Sequence, residues 1–314
     1  MFSSHTTFIG IDPTAGQRPF AYVAVDQDLR LLALGLGSMD EVLAFVAGQR
    51  QAIVAVAAPR RPNQGVINRP EVRAQLNPPP RPGRWTNFRL AEYLLRQHSI
   101  SCPKTAALEQ DCPGWMRMGF ALYARLESLG YYPYPSQVTW AEHEPAQAEN
   151  EPAHANHEPT QAEHEPAHAD HEPAQAGSLR AKAGQAQLEL GLKMTQAAPL
   201  QWLEVYPHAC FTALLGLTPF PKYTLEGRIQ RQLALHEQEM HIPDPMRLFE
   251  EITRHRLLQG QLPLQDLYSP GELDALVAAF TAWKAASQPG EVTLLGDPQE
   301  GQVVLPVKEL KRQY

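Results

Sequence analysis

The order of apolar segments near the start of the chain is the feature that most limits its fold. Three short apolar runs, joined by short polar loops, occupy 7–12, 20–25 and 31–35 (TFIGID, FAYVAV, LLALG). Consecutive strands with short connections predict an antiparallel meander. Ser38 and Glu41 then match the Ser-x-x-Glu capping box that opens a helix, and the apolar run 52–57 predicts a strand buried on both faces and parallel to the first. The order β-β-β-α-β predicts an α/β fold with a mixed sheet.

The later part of the chain continues this alternation. Helical periodicity covers 88–97, 115–129, 179–194 and 270–286, and Ser269 with Glu272 is a second capping box. The run 202–206 (WLEVY) predicts another strand, after which Pro207 suits the first turn of a helix ending near Gly216. Two final strands are predicted at 292–295 and 303–307, around a Gly-Asp-Pro turn.

Residues 141–176 form a repeat of a different kind. Five heptads of the type AEHEPAQ each carry a proline at the same position and no apolar seam, which excludes a coiled coil. We predict a disordered Pro/Glu/His insert within a single domain formed by 1–140 and 177–314. The repeat holds nine acids and no Lys or Arg, so the formal net charge of −7 divides into −9 for the repeat and about +2 for the remainder, which has 27 basic and 25 acidic residues.

Composition excludes several classes of protein. Three cysteines without a close pair do not make a disulfide framework. No stretch approaches the roughly 18 consecutive apolar residues of a membrane span, and the first residues lack the pattern of a secretory signal. We therefore expect a cytoplasmic protein with no membrane partner.

Three carboxylates occupy positions that are common for active-site or metal-binding residues. Asp12 closes the first strand, Glu204 interrupts an apolar strand, and Asp274 falls in the first turns of the last long helix, beside small residues that would let the helix approach a sheet closely. Hard divalent cations take carboxylate ligands, so the trio suggests a Mg²⁺ or Mn²⁺ site. Each has a structural alternative: a turn or cap for Asp12, a salt bridge to an arginine for Glu204, and a helix-dipole interaction for Asp274.

The chain resembles a known family in seven segments. They are GIDPTAG (10–16), VAVAAPR (54–60), an Arg-x-x-Glu-x-x-Leu-Arg segment (89–96), WMRMGFALYARLESLGY (115–131), EVYPHACFTALLG (204–216), and LDALVAAFTAWKA with GQVVLP (273–285 and 301–306). They are similar to domain of unknown function 429, a family of predicted nucleases with an RNase H-like fold. The resemblance implies an RNase H-like mixed sheet flanked by helices, with Asp12, Glu204 and Asp274 as metal-binding active-site carboxylates.

One position departs from the family pattern. The resemblance places an Asp-Ala-Pro on the fourth strand, where this chain has Ala57-Ala58-Pro59. Loss of one ligand removes a formal charge of −1 from a two-metal site, so a second metal should bind weakly. The leading hypothesis is a Mg²⁺- or Mn²⁺-dependent nuclease impaired at Ala57, and the alternative is a non-catalytic nucleic-acid or protein-binding module.

Arginines after the fourth strand suggest a contact surface for nucleic acid. The segment from 60 to 89 holds seven arginines and one acid, with aromatic residues between them. Such an arm could follow a phosphate backbone and stack bases; the residues predicted to do so are Arg60, Arg61, Arg84, Trp85 and Arg89. The alternative is a surface loop whose arginines are solvated or pair with acids such as Glu204. A second basic set, Lys222, Arg228 and Arg231, is interpreted as a helix surface.

Overall fold

The computed structural model describes residues 6–14, 18–77, 80, 83, 85–135 and 200–314, and these contain one eight-stranded sheet. Its strands are β1 (Thr7–Asp12), β2 (Phe20–Val25), β3 (Leu31–Gly37), β4 (Ala52–Val56), β5 (Tyr132–Pro133), β6 (Leu200–Glu204), β7 (Thr293–Asp297) and β8 (Gly301–Leu305). The α-helices of the described residues are α1 (Met39–Ala47), α2 (Pro70–Gln75), α3 (Leu90–Gln97), α4 (Gly114–Ser128), α5 (Pro207–Leu215), α6 (Leu225–His236), α7 (Arg247–Glu251), α8 (Arg254–Leu258) and α9 (Pro270–Ser287).

The sheet is mixed, as predicted. Its order is β3-β2-β1-β4-β6-β8-β7, with β5 paired to β6. Strands β1, β2 and β3 form the predicted antiparallel meander, while β4 runs parallel to β1 and β6 runs parallel to β4. Strands from both sides of residues 136–199 therefore lie in the same sheet. The α/β class with a mixed sheet flanked by helices is confirmed.

Helices cover both faces of the sheet. On one face α9 packs across β1, β2 and β4, and α5 packs beside it, around a core that includes Phe8, Ala55, Leu203 and Phe280. On the other face α1 and α4 enclose a second core around Ile9, Val56, Tyr123 and Trp202. Because side chains alternate along a strand, each residue of β1, β4 and β6 is assigned to one of these two environments.

Most local predictions agree with the structure. Strands β1 and β2 have the predicted bounds, both capping boxes are present, and Gly216 ends α5 with a positive φ. The predicted strand 202–206 is shifted, since β6 ends at Glu204 and Pro207 starts the helix soon afterwards. Strand β5 has two residues, too few to carry a periodic signal. The predicted helix 179–194 and the repeat 141–176 lie outside the described residues.

No helix in the described ranges combines the length and the apolar character that a bilayer crossing requires.

Candidate active site

Asp12 and Asp274 meet at one edge of the sheet. Asp12 is the last residue of β1, and Asp274 lies in the second turn of α9. The backbone of α9 lies directly on β1, because a Cβ at Gly10 would stand 1.9 Å from the carbonyl oxygen of Ala275. Oδ2 of Asp12 lies 3.3 Å from the position of a Cβ on Gly271, in the first turn of the same helix. The predicted close approach of this helix to the sheet is confirmed.

The two carboxylates share one cavity of about 860 Å³, and the charge of Asp274 acts on Asp12. Burial, followed by the charge of Asp274, raises the pKa of Asp12 to about 8, against an opposing effect of Lys222. Burial also raises the pKa of Asp274, although Lys222 and Arg231 act in the other direction. Two neighbouring acids, one buried and one half-buried, whose negative charge is only partly compensated are stabilised by additional positive charge.

Lys222 supplies part of that charge. Its Nζ donates a hydrogen bond of 2.6 Å to Oδ2 of Asp274. Burial disfavours the ammonium, yet Asp274 and Asp12 raise the pKa of Lys222 above its ordinary value. Lys222 was interpreted from sequence as part of a helix surface, which is wrong, because the residue precedes α6 and faces the cavity.

The other two members of that basic set are also not simple surface residues. Arg231 is buried and donates hydrogen bonds to the carbonyl oxygens of Phe220 and Gly227. Arg228 donates to the carbonyl oxygens of Leu267 and Tyr268. Both arginines hold the segment around α6 in place, a role that requires tertiary contacts to recognise.

Besides several prolines and two hydroxyl residues, the rest of the cavity lining includes cations and aromatic rings. Arg18 and Arg231 line it together with Lys222, and burial, Arg231 and Lys222 lower the pKa of His208, another lining residue. Four further aromatic side chains line the cavity: Trp115, Tyr206, Phe220 and Tyr223. None of these aromatic residues was predicted to belong to the site, because they come from distant parts of the chain.

Ala57 lines the same cavity. It follows β4 directly, and its backbone N–H donates a 2.8 Å hydrogen bond to the carbonyl oxygen of Ile11, next to Asp12. It shares a face of the sheet with Ala55, in the core that packs against α9. An aspartate at position 57 would therefore enter the cavity that holds Asp12 and Asp274.

Glu204 does not line this cavity. Leu203 and Val205 belong to the core beneath α9, so alternation directs Glu204 to the opposite face, with Trp202. There the Arg89 guanidinium donates two hydrogen bonds to its carboxylate, Nη1 to Oε1 at 2.7 Å and Nη2 to Oε2 at 2.8 Å. The structure thus shows the salt bridge that was the alternative interpretation of Glu204.

Arg89 itself is 1% exposed and caps the start of α3. Two of its guanidinium nitrogens are engaged by Glu204, and the same group donates to the carbonyl oxygen of Glu300. A phosphate could reach Arg89 only if this buried pair opened, and leaving one member of a buried ion pair without its partner costs about 3–5 kcal/mol. Its position is that of a structural link between α3, β6 and β8.

The other described residues of the predicted nucleic-acid-binding arm lie in different surroundings, away from the cavity of Asp12. The Arg60 guanidinium lies 4.6 Å from the Trp202 ring centroid and pairs with Glu127 at 2.9 Å. Arg61 is partly exposed, and Trp85 packs against Phe88 and Tyr93. Arg84 lies outside the described residues. None of the four described members lines the cavity of Asp12.

The metal-binding side chains that line the cavity suit one divalent cation better than two. Within the described part of the chain, no group of three or more His, Cys, Asp or Glu side chains is arranged to hold a metal ion. Ala57 offers no ligand, and Glu204 is on the other face. Mg²⁺ is commonly held by one or two carboxylates together with water and substrate phosphate, and Asp12 and Asp274 fit that smaller requirement. The predicted two-metal set does not fit these residues.

Comparison with known proteins assigns the chain to a family. No significant match was found among curated proteins or among solved structures. The family model described as "Protein of unknown function (DUF429)" matches residues 141–300, about half of the chain, and this range includes Glu204 and Asp274. The chain therefore belongs to the DUF429 family.

Proposed function

We propose that this protein is a Mg²⁺- or Mn²⁺-dependent nuclease of RNase H-like fold, with Asp12 and Asp274 as its active-site carboxylates. The observation that carries the proposal is the convergence of half-buried Asp12, from β1, and buried Asp274, from α9, on a cavity whose lining includes cations and aromatic rings. The strand order β3-β2-β1-β4-β6, with β1, β4 and β6 parallel, supports the RNase H-like part of the proposal.

Each group of the cavity has a distinct part in this function. A cation held by Asp12 and Asp274 would supply Lewis-acid activation of a phosphodiester and of water. Lys222 and Arg18 offset the negative charge of a bound phosphate, while Lys222 also orients Asp274 through its 2.6 Å hydrogen bond. Glu204 acts at a distance from the reaction, by holding Arg89 and with it α3 against the sheet.

Hydrolysis of RNA, DNA and hybrid substrates with Mg²⁺ or Mn²⁺ tests the proposal. We expect Asp12→Asn and Asp274→Asn each to lower the rate by about 10²-fold or more, since each removes charge stabilisation at the reacting centre. Asp28→Asn, in an exposed turn, is the matched control and should leave the rate unchanged. Activity that survives both cavity substitutions would refute the assignment.

A non-catalytic nucleic-acid-binding module is the second candidate. It is favoured by Ala57, which removes a ligand, and by Lys222, which already neutralises Asp274. The variant Ala57→Asp separates the two candidates. Hydrolysis that rises in this variant shows a nuclease site lacking one ligand, whereas salt-dependent binding without cleavage in both proteins supports the binding module.

A further inference from the structure

The segment 217–223 between α5 and α6, here called the rim loop, exposes apolar side chains at the mouth of the cavity. Leu217 is 49% exposed, Phe220 55% and Tyr223 76%. Phe220 and Tyr223 line the cavity of Asp12. Exposed apolar clusters beside a polar cavity mark interaction sites more often than scattered surface residues do.

The backbone of the rim loop is firmly anchored. The Phe220 N–H donates to Oε1 of Gln230 at 2.8 Å, and its carbonyl oxygen accepts from Nη1 of Arg231 at 2.7 Å. A Cβ at Gly227 would stand 2.0 Å from the carbonyl oxygen of Pro221, so the loop lies directly on α6. The two rings are therefore presented by a prearranged backbone, which reduces the entropy lost on binding a ligand.

Charge at the rim favours a polyanion. Lys222 stands between the two aromatic residues, with its Nζ 5.4 Å from the Tyr223 ring centroid and 2.6 Å from Asp274. The cavity is lined by three cations, Arg18, Lys222 and Arg231, against the two carboxylates of Asp12 and Asp274. Aromatic faces interleaved with cations suit stacked bases joined by phosphates.

We infer that Phe220 and Tyr223 form a stacking platform for the bases of single-stranded nucleic acid, next to the phosphate that faces Asp12 and Asp274. This inference rests on the proposed function and deepens it by naming the substrate class. Bases within a duplex are already stacked and paired, so they cannot cover the two rings without being extruded. The protein should therefore prefer single strands.

The test is binding of a fluorescent oligothymidylate of about 12 nucleotides, and of a duplex of the same length, at low salt without divalent cation. We expect Phe220→Ala and Tyr223→Ala each to weaken single-strand binding by about tenfold and to leave duplex binding unchanged. Tyr223→Trp keeps a ring and should retain binding. Leu36→Ala, which removes an equally exposed apolar side chain on β3, is the matched control.

The outcomes separate this inference from the proposed function. Wild-type protein that binds neither form, or platform variants that bind single strands as well as wild type, would overturn the platform. An equal loss of single-strand and duplex binding would overturn it too. A platform effect seen in protein that hydrolyses nothing leaves the inference standing while the nuclease proposal fails. Hydrolysis that is lost in Asp12→Asn but unchanged in Phe220→Ala and Tyr223→Ala would support the nuclease proposal and contradict the stacking platform.

Discussion

At the scale of single residues, two carboxylates at the ends of β1 and β6, which flank β4 in the sheet, serve different purposes. The charge of Glu204 is matched by a bidentate arginine, an arrangement that links α3 to the sheet. The half-buried carboxylate of Asp12 lies beside a second, buried acid, Asp274, and the charge of Lys222 acts on both. The first is a satisfied structural ion pair, whereas the second stores unfavourable electrostatic free energy, as functional sites commonly do.

Replacing Asp12 with asparagine should stabilise the fold in a pH-dependent way. The folded state raises the pKa of Asp12 from 3.8 to about 8, so it binds the proton more tightly than the unfolded chain and the free energy of unfolding falls between these pH values. Asp12→Asn removes this loss. Without divalent cation, its stability advantage should be small near pH 4 and reach the order of a few kcal/mol above pH 8.

Urea denaturation from pH 4 to pH 9, followed by circular dichroism, measures this difference. Asp28→Asn should follow the wild-type profile. If Asp12→Asn raises the free energy of unfolding by the same amount at every pH, Asp12 does not titrate as described.

At the scale of elements, contact between α9 and β1 creates the site. The helix is amphipathic only weakly and is buried along most of its length, with small residues such as Ala275 and Ala279 against the strand. Gly10 provides the room for its backbone. The distance between Asp12 and Asp274 is therefore set by one helix-on-strand contact, since the two residues belong to those two elements.

Gly10→Ala should both lower the free energy of unfolding and disturb the placement of Asp274 relative to Asp12. Its Cβ would stand 1.9 Å from the carbonyl oxygen of Ala275 and 2.4 Å from the amide nitrogen of Ala279, so α9 has to shift. We expect a loss of about 3 kcal/mol or more, because both obstacles are backbone atoms. Gly290→Ala, where a Cβ meets nothing within 4 Å, should change the urea midpoint little. Equal midpoints for the two variants would contradict this packing.

At the scale of the whole molecule, charge is divided unevenly along the sequence. The repeat 141–176 carries nine acids and no Lys or Arg, while the remainder has a slight excess of basic residues. The strands before and after the repeat share one sheet. If the nuclease proposal is correct, we predict that the nine acids of the repeat lower the affinity for nucleic acid, an electrostatic competition that weakens with salt.

Deletion of residues 141–176 should raise nucleic-acid affinity at low salt and leave thermal stability unchanged. Residues 136–140 and 177–199 remain, more than the dozen or so needed to connect parallel strands. Fluorescence anisotropy across a salt series measures the effect. A second variant that keeps the length but replaces the nine acids with their amides should reproduce the gain if charge is the cause. Unchanged affinity at low salt in both variants would exclude competition.

Local features of this chain could be predicted from its sequence, whereas features that depend on distant residues could not. Bounds of β1 and β2, both capping boxes and the parallel pairing of β4 followed from apolar runs and cap residues that act over a few positions. The side of the sheet on which Glu204 lies could not be inferred in that way, because β6 is buried on both faces and carries no polar-apolar alternation to mark one of them. Lys222 and the rings of the rim loop likewise gave no local signal of a site.

The sequence by itself determined the α/β class, the meander, the capped helices and the candidate acids Asp12 and Asp274, because short-range periodicity and capping specify individual elements. Only the tertiary structure decided that these two acids meet, that Glu204 is paired with Arg89 on the opposite face, and that Lys222, Phe220 and Tyr223 complete the cavity. The physical reason is that register, helix-on-sheet contact and burial bring together residues far apart in the chain, and the free energy of a buried charge depends on those neighbours.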